Sequence, residues 1–200
     1  MSWLAVILFA VAAGVYTGLI LMVPFFKDTS FQDIGIAYEW WVIFAIIIVV
    51  NCKKNWEAML KCFVFFLISQ PIVYAVQILP GFERFDVAFI AYKTMWLPMT
   101  FAVLPGAFIA YYCKKQNVLG AIILGCGNAI QLFMALDYVV KCVGDFPHHI
   151  LSAAVCVVSI FVMSFYIQKE KRNRVISFVV PIVLVVAAVV LMAMTGRLHF

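Results

Sequence analysis

Glu39 stands immediately ahead of an unbroken apolar run, Trp40 to Val50, which ends at the basic turn Asn51-Cys52-Lys53-Lys54. Twelve positions separate Glu39 from Asn51, about 18 Å along a helix, and that depth lies inside a hydrocarbon core roughly 30 Å thick. An ionised carboxylate there costs at least ~2.5 kcal/mol on insertion scales, so it should face a bundle interior and meet a partner, a proton or a cationic ligand. Two roles fit: a charge or proton partner in a binding site, or one half of a structural ion pair with Lys93, Lys141 or Arg84. The adjacent Trp40 and Trp41 also suit an interfacial aromatic belt.

Further polar side chains share that environment. Gln70, Tyr74 and Gln77 fall within about 60° of arc on one helix, because steps of four and seven residues return to nearly the same side. Pro71 frees a backbone carbonyl at the same depth. Asn128 and Gln131 add two amides at middle to outer depth on another helix. Together with Glu39 these residues are candidate substrate-binding groups, and the competing role is interhelical hydrogen bonding, the commonest use of buried amides in membranes. Asp137 and Lys141, four positions apart at a helix end, read as a surface ion pair. His148 and His149, with Asp145, are weak candidates for a metal or a pH response; no other ligand can be named, so no metal and no cofactor is expected. HExxH, GxSxG and P-loop signatures are missing from the chain, which leaves an intramembrane lipid-active enzyme as the least supported reading. Six cysteines with no CxxC or Cys/His zinc spacing do not suggest a disulfide framework or a zinc site, since Cys52, Cys62 and Cys113 fall at helix ends facing the reducing side.

The elements that must position these groups follow from composition. With 67% hydrophobic and 12% charged residues, the chain far exceeds the roughly 45–50% apolar content of a soluble domain, so its surplus must face lipid. The expected fold is all-α, a polytopic transmembrane helical bundle forming a single integral membrane domain over 1–200. Apolar runs place about seven spans, six being possible, near 3–23, 34–51, 58–79, 94–112, 118–140, 149–167 and 175–194. Outer-membrane strands would alternate polar and apolar residues, whereas Val42 to Val50 is continuously apolar. No basic residue precedes the first span, so it is expected to stay rather than be cleaved.

Of the 14 basic residues, nine (Lys53, Lys54, Lys61, Lys114, Lys115, Lys169, Lys171, Arg172, Arg174) fall at the even turns and five (Lys27, Arg84, Lys93, Lys141, Arg197) on the other side. The retention of positive charge in the cytoplasm then puts the N-terminus inside and the C-terminus outside. The net charge of +5 belongs to these turns; it points to membrane lipids as contacts and not to nucleic acid. Asn51-Cys52-Lys53-Lys54-Asn55 and Tyr112-Cys113-Lys114-Lys115-Gln116 hint at an internal repeat, although ordinary helix-turn chemistry explains them equally well.

The polar exceptions gather in the outer half: Glu39, Gln77, Gln131, Lys93, Asp137, His148 and His149. That asymmetry fits a cavity open to the extracytoplasmic side, with Pro24 to Asp33 as a covering loop. Pro98 and Pro105 make span four nonuniform, and broken spans are where transporters place binding sites. Small residues recur every fourth position at Ala10, Gly14, Gly18 and at Ala121, Gly125, Ala129; these are close-packing faces for neighbouring helices or, if left uncovered, for a membrane partner subunit.

A short chain, a first helix carrying Ala10, Gly14 and Gly18, an outward polar pocket and almost no soluble part resemble the substrate-binding S components of energy-coupling-factor transporters. The resemblance implies a micronutrient-capture subunit in a bacterial inner membrane, docking through that stripe on an energising module. The chain departs from it in having seven expected spans where the family usually has six, and in lacking vitamin-specific motifs. The expected function is therefore a small transporter or substrate-capture subunit, with a structural or regulatory membrane subunit as the alternative.

Overall fold

The computed structural model describes residues 1–27, 29–36, 38–79, 84–144 and 148–195, except for the side chains of 34–36 and 38. Among them there is no strand; helices α1 (Trp3–Met22), α2 (Ser30–Ile36), α3 (Tyr38–Val50), α4 (Asn55–Ile78), α5 (Phe85–Ala91), α6 (Leu97–Ala110), α7 (Val118–Gly144), α8 (Ile150–Ile167) and α9 (Lys171–Met194) account for most of the chain. Among the described residues, six helical stretches are long and apolar enough to cross a membrane. The protein is thus a multi-pass α-helical membrane protein. Its helices pack into two units, Met1–Tyr111 and Tyr112–Phe200.

Local signals set the helix ends. The Ser2 hydroxyl accepts from the Ala5 N–H at 3.1 Å and caps α1. At α4, Glu57 reaches back to the Lys53 N–H at 2.7 Å, placing a negative charge on the first turn where the helix dipole favours it.

In the first unit, Lys61 on α4 donates to the Met1 carbonyl, and the Tyr111 hydroxyl donates to the Lys53 carbonyl. The starts of α1 and α4 therefore meet the ends of α3 and α6, so α1 and α4 run parallel and α3 and α6 run against them. α1 lies directly on α4: a Cβ on Gly14 would stand 2.6 Å from the Ser69 carbonyl oxygen, and one on Gly18 would stand 2.7 Å from Val76 Cβ. Between these helices and α3 sits a core of Val6, Ala10, Ile48, Phe65 and Trp41, extended by Phe9 and Phe44 in edge and tilted ring contacts.

In the second unit, the Gln168 amide donates to the Cys113 carbonyl at 2.6 Å, Gln116 donates to the Ile167 carbonyl at 2.8 Å, and the Lys169 N–H donates to Gln116 at 2.6 Å. The start of α7, the end of α8 and the start of α9 are thereby tied at one end. α7 and α9 run parallel and close, with the Gly125 Cβ position 2.6 Å from Val180 Cβ.

Two expected spans differ from the structure. The stretch 34–51 is divided between α2 and α3, with Ala37 outside the described residues; α3 alone is about 20 Å long, short of the hydrocarbon core. The span expected near 94–112 begins at Phe85 and runs as α5, a π-type stretch Tyr92–Trp96, α6 and a 3-10 turn Tyr111–Lys114. The charges of Asp86 and Lys93 hide its first turns from an apolar-run reading, since helix formation tolerates charges that lipid does not. The π-type stretch sits just before Pro98, whose missing N–H disturbs the ladder there, whereas Pro105 is carried inside a continuous α6.

Candidate functional site

The stripe Gln70, Tyr74 and Gln77 lines a cavity of about 100 Å³ in the first unit, shared with Thr17 and Leu21 of α1, Val73 of α4, Trp41 of α3 and Trp96 of the π-type stretch. Each element delivers its residue for a local reason. Gly14 and Gly18 let α1 approach α4 closely enough for Thr17 to reach the stripe. The widened turn at Tyr92–Trp96 turns Trp96 toward Trp41, ring centroids 6.2 Å apart, and the Trp96 carbonyl accepts from Thr100 Oγ1 at 2.8 Å. Tyr74 meets Tyr92 edge-on at 6.3 Å.

The cavity offers hydrogen bonds that the protein does not use. Among the described residues, Gln70, 1% exposed, has no partner for Nε2, and Trp41, 4% exposed, has none for its indole N–H. Both residues line the cavity, so two side chains with an unused donor border a space with room for a few waters or a compact solute. The described lining contains no Cys, Ser, His, Lys, Asp or Glu. Such a wall can hold and orient a polar molecule, but it supplies neither a nucleophile with a base nor a metal-ligand set. Its residues come from the second half of α1 and α4 and the first half of α3, so the cavity lies toward the end of this unit away from Lys53, Lys54 and Lys61.

The other candidates are distributed as follows. Glu39 is fully buried in the first turn of α3, two residues before Trp41, and does not line the cavity. Of the cations expected near it, Lys141 pairs with Asp137 at 2.7 Å, a half-exposed surface pair, Arg84 holds Asp86 at 2.9 Å, and Lys93 is exposed. Asn128 and Gln131 belong to the second unit and are hydrogen-bonded between helices there. The Asn128 amide donates to Ser164 Oγ at 2.9 Å and to the Ser177 carbonyl at 3.3 Å, and Gln131 accepts from Ser159 Oγ at 3.1 Å. Ser177 lies four residues before Pro181, so its carbonyl has no helical N–H partner, and Asn128 takes that place.

The small-residue faces are covered within their own units where glycine is essential: Gly14 and Gly18 by α4, Gly125 by α9. Ala10 and Ala121 are buried and Ala129 is half-buried. His149 stacks on Tyr138 at 5.7 Å. Asp145, the third member of the expected metal cluster, is outside the described residues, as is Arg197; among the described residues no three His, Cys, Asp or Glu side chains converge as a metal site. None of the six cysteines forms a disulfide.

Residue type and spacing do not single out Thr17, Trp41 and Trp96 as cavity groups. Thr17 carries a signal, since it lies one turn beyond Gly14 on the close-packing face; Trp41 and Trp96 read as belt tryptophans, and only the packing of α3 and α6 turns them inward. Comparison with protein-family models, with curated proteins and with solved structures finds no match.

Proposed function

We propose that this membrane protein binds a small polar solute in the Thr17, Trp41, Gln70 and Gln77 cavity, as a small transporter or a substrate-capture subunit. The observation that carries the reading is that two residues lining one cavity, Gln70 and Trp41, each keep a buried donor without a partner, Nε2 and Nε1. Leaving a buried donor unsatisfied costs about 1–3 kcal/mol, and an acceptor bound in the cavity that both residues line would relieve that cost. The basic turn at the opposite end of the same unit is the feature that topogenesis retains in the cytoplasm, so the cavity side is the extracytoplasmic one. Glu39, buried two residues before Trp41 and outside the cavity lining, acts on a bound solute through its charge and not by contact.

Size limits the ligand class. Pockets for drug-sized ligands occupy about 300–1,000 Å³, so a cavity near 100 Å³ suits a solute of few heavy atoms and not a vitamin. The resemblance to energy-coupling-factor S components also asks Gly14 and Gly18 to dock a partner, while both already lie against α4. A self-contained small-solute binder accounts for both points. The alternative, a structural subunit, draws its support from Asn128 and Gln131, whose bonds join helices.

The test uses the protein's own fluorophores. Trp41 and Trp96 line the cavity, so titrating small carboxylates, amides and amino acids into detergent-purified protein should shift its tryptophan emission saturably. Gln70→Leu should abolish that shift and Glu39→Gln should weaken it, with the helical circular dichroism unchanged in both. If no compound in these classes shifts emission, and mass spectrometry of gently purified protein shows no co-purifying solute, the binding reading fails. Loss of folded protein in Glu39→Gln would instead assign that carboxylate to the structure.

A further inference from the structure

α8 and α9 of the second unit both pack on α7 and touch one another little. Close contact at Gly125 draws α9 onto α7, which leaves a cleft of about 150 Å³ beside α8. Its walls are wholly apolar: Val157 and Phe161 from α8, Phe178, Pro181 and Ile182 from α9, with Leu132 of α7 between them. A helix, some 10 Å across with side chains, needs far more room; a single hydrocarbon chain does not.

The cleft leads toward a cluster of positive charge. Phe178 contacts Phe161 at 5.1 Å and Phe165 at 6.0 Å, and the Arg174 guanidinium lies 5.1 Å over the Phe165 ring. Arg174 Nε donates to the Gln168 carbonyl at 2.7 Å, while its terminal nitrogens have no hydrogen bond or ion pair among the described residues. Lys169, Lys171 and Arg172 are exposed beside it, and Glu170, the one acid in the segment, accepts from the Asn173 amide at 3.1 Å. From Arg174 to Ile182 is eight residues, about 12 Å, most of the ~15 Å depth of one leaflet's hydrocarbon.

We infer that this cleft is a binding site for one anionic phospholipid, its acyl chain between Phe161, Phe178 and Ile182 and its phosphate on Arg174 and Lys171. The apolar walls do not distinguish one lipid from another, and the free guanidinium nitrogens do. Each basic residue near a membrane surface raises affinity for an anionic headgroup by roughly fivefold, so two together set a preference of about tenfold or more. Guanidinium binding to phosphate is strengthened further where two N–H groups engage two oxygens. The site is independent of the solute cavity in the first unit.

Native mass spectrometry of detergent-purified protein, incubated with equal amounts of phosphatidylglycerol and phosphatidylcholine of identical acyl chains, tests it. The wild-type chain should retain one phosphatidylglycerol, about tenfold or more over phosphatidylcholine. The double variant Lys171→Gln/Arg174→Gln should bring the ratio near one while the helical circular dichroism stays unchanged. Ile182→Trp, which fills the cleft from a lipid-exposed position, should reduce retention of both lipids, with Val157→Phe as a second filling variant should the first not fold. Equal retention of the two lipids by the wild type, or an undiminished preference in the double variant, would overturn the headgroup assignment. Undiminished retention in both filling variants would overturn the placement of the acyl chain.

Discussion

Gln70 and Trp41 show how a side chain can be destabilising for the folded protein and useful to it. Each buries a donor without an acceptor, and replacing such a group with an apolar one of similar shape relieves a cost of about 1–3 kcal/mol. Trp41→Phe keeps an aromatic ring in contact with Phe66 and Trp96 and removes the N–H. Its melting temperature in detergent should therefore match or exceed that of the wild type, while solute binding, read by Trp96 emission, weakens about fivefold or more. A fall in melting temperature with unaltered binding would mean that the donor has a structural partner. The amides of the second unit should behave in the opposite way. Asn128 fills the gap left by Pro181 below the Ser177 carbonyl, so Asn128→Ala should cost ~0.6–2 kcal/mol. In the Pro181→Ala background, where the restored backbone N–H donates to that carbonyl, the same change should cost measurably less; a double-mutant cycle of unfolding free energies gives the coupling.

At the scale of elements, two parallel helix pairs, α1 with α4 and α7 with α9, depend on glycine at their contacts. A Cβ at Gly14 would stand 2.6 Å from the backbone oxygen of Ser69, which cannot move without displacing α4, whereas Gly106 has open space where its Cβ would lie. Gly14→Ala should therefore lower the melting temperature and reduce folded yield. Gly106→Ala, at an exposed position inside α6, should raise stability by about 0.5–1 kcal/mol, as expected when glycine is removed from a helix interior. The thermal transitions of the two variants check both signs. Elements also decide what thiol labelling can report. Cys52 and Cys113 are each 3% exposed, so an unreactive thiol there says nothing about sidedness, and cysteines introduced at the exposed Lys53 and Lys171 are the informative positions. An impermeant maleimide added to intact cells should label the natural Cys142 and leave both introduced cysteines unlabelled; labelling of the introduced pair with Cys142 protected would invert the orientation.

For the whole molecule, membrane residence, helical class and most span positions are legible in the sequence, because each depends on local hydrophobicity summed over about 20 residues. The same summation fails at α5, where Asp86 and Lys93 interrupt an otherwise helical stretch, and at 34–51, where it merges α2 with α3. The short α3 ends in the tight turn that starts α4, and the Met1 amine, donating to the Asn51 carbonyl at 3.0 Å, ties that end to the start of α1. The candidate site is half legible. The stripe Gln70, Tyr74, Gln77 follows from helical periodicity alone, and it does line the cavity. Asn128 and Gln131 have the same chemistry and a similar expected depth, yet they bond to Ser164, Ser177 and Ser159 within the second unit. Residue type and depth by themselves determined that these groups must be turned away from lipid, which offers a polar atom no partner. Whether the partner is another helix or an unfilled cavity was decided only by tertiary packing. Glycine at positions 14 and 18, proline at 181 and a widened turn before Pro98 set the local helix separations, and hydrogen bonds are made or lost over differences of less than an ångström.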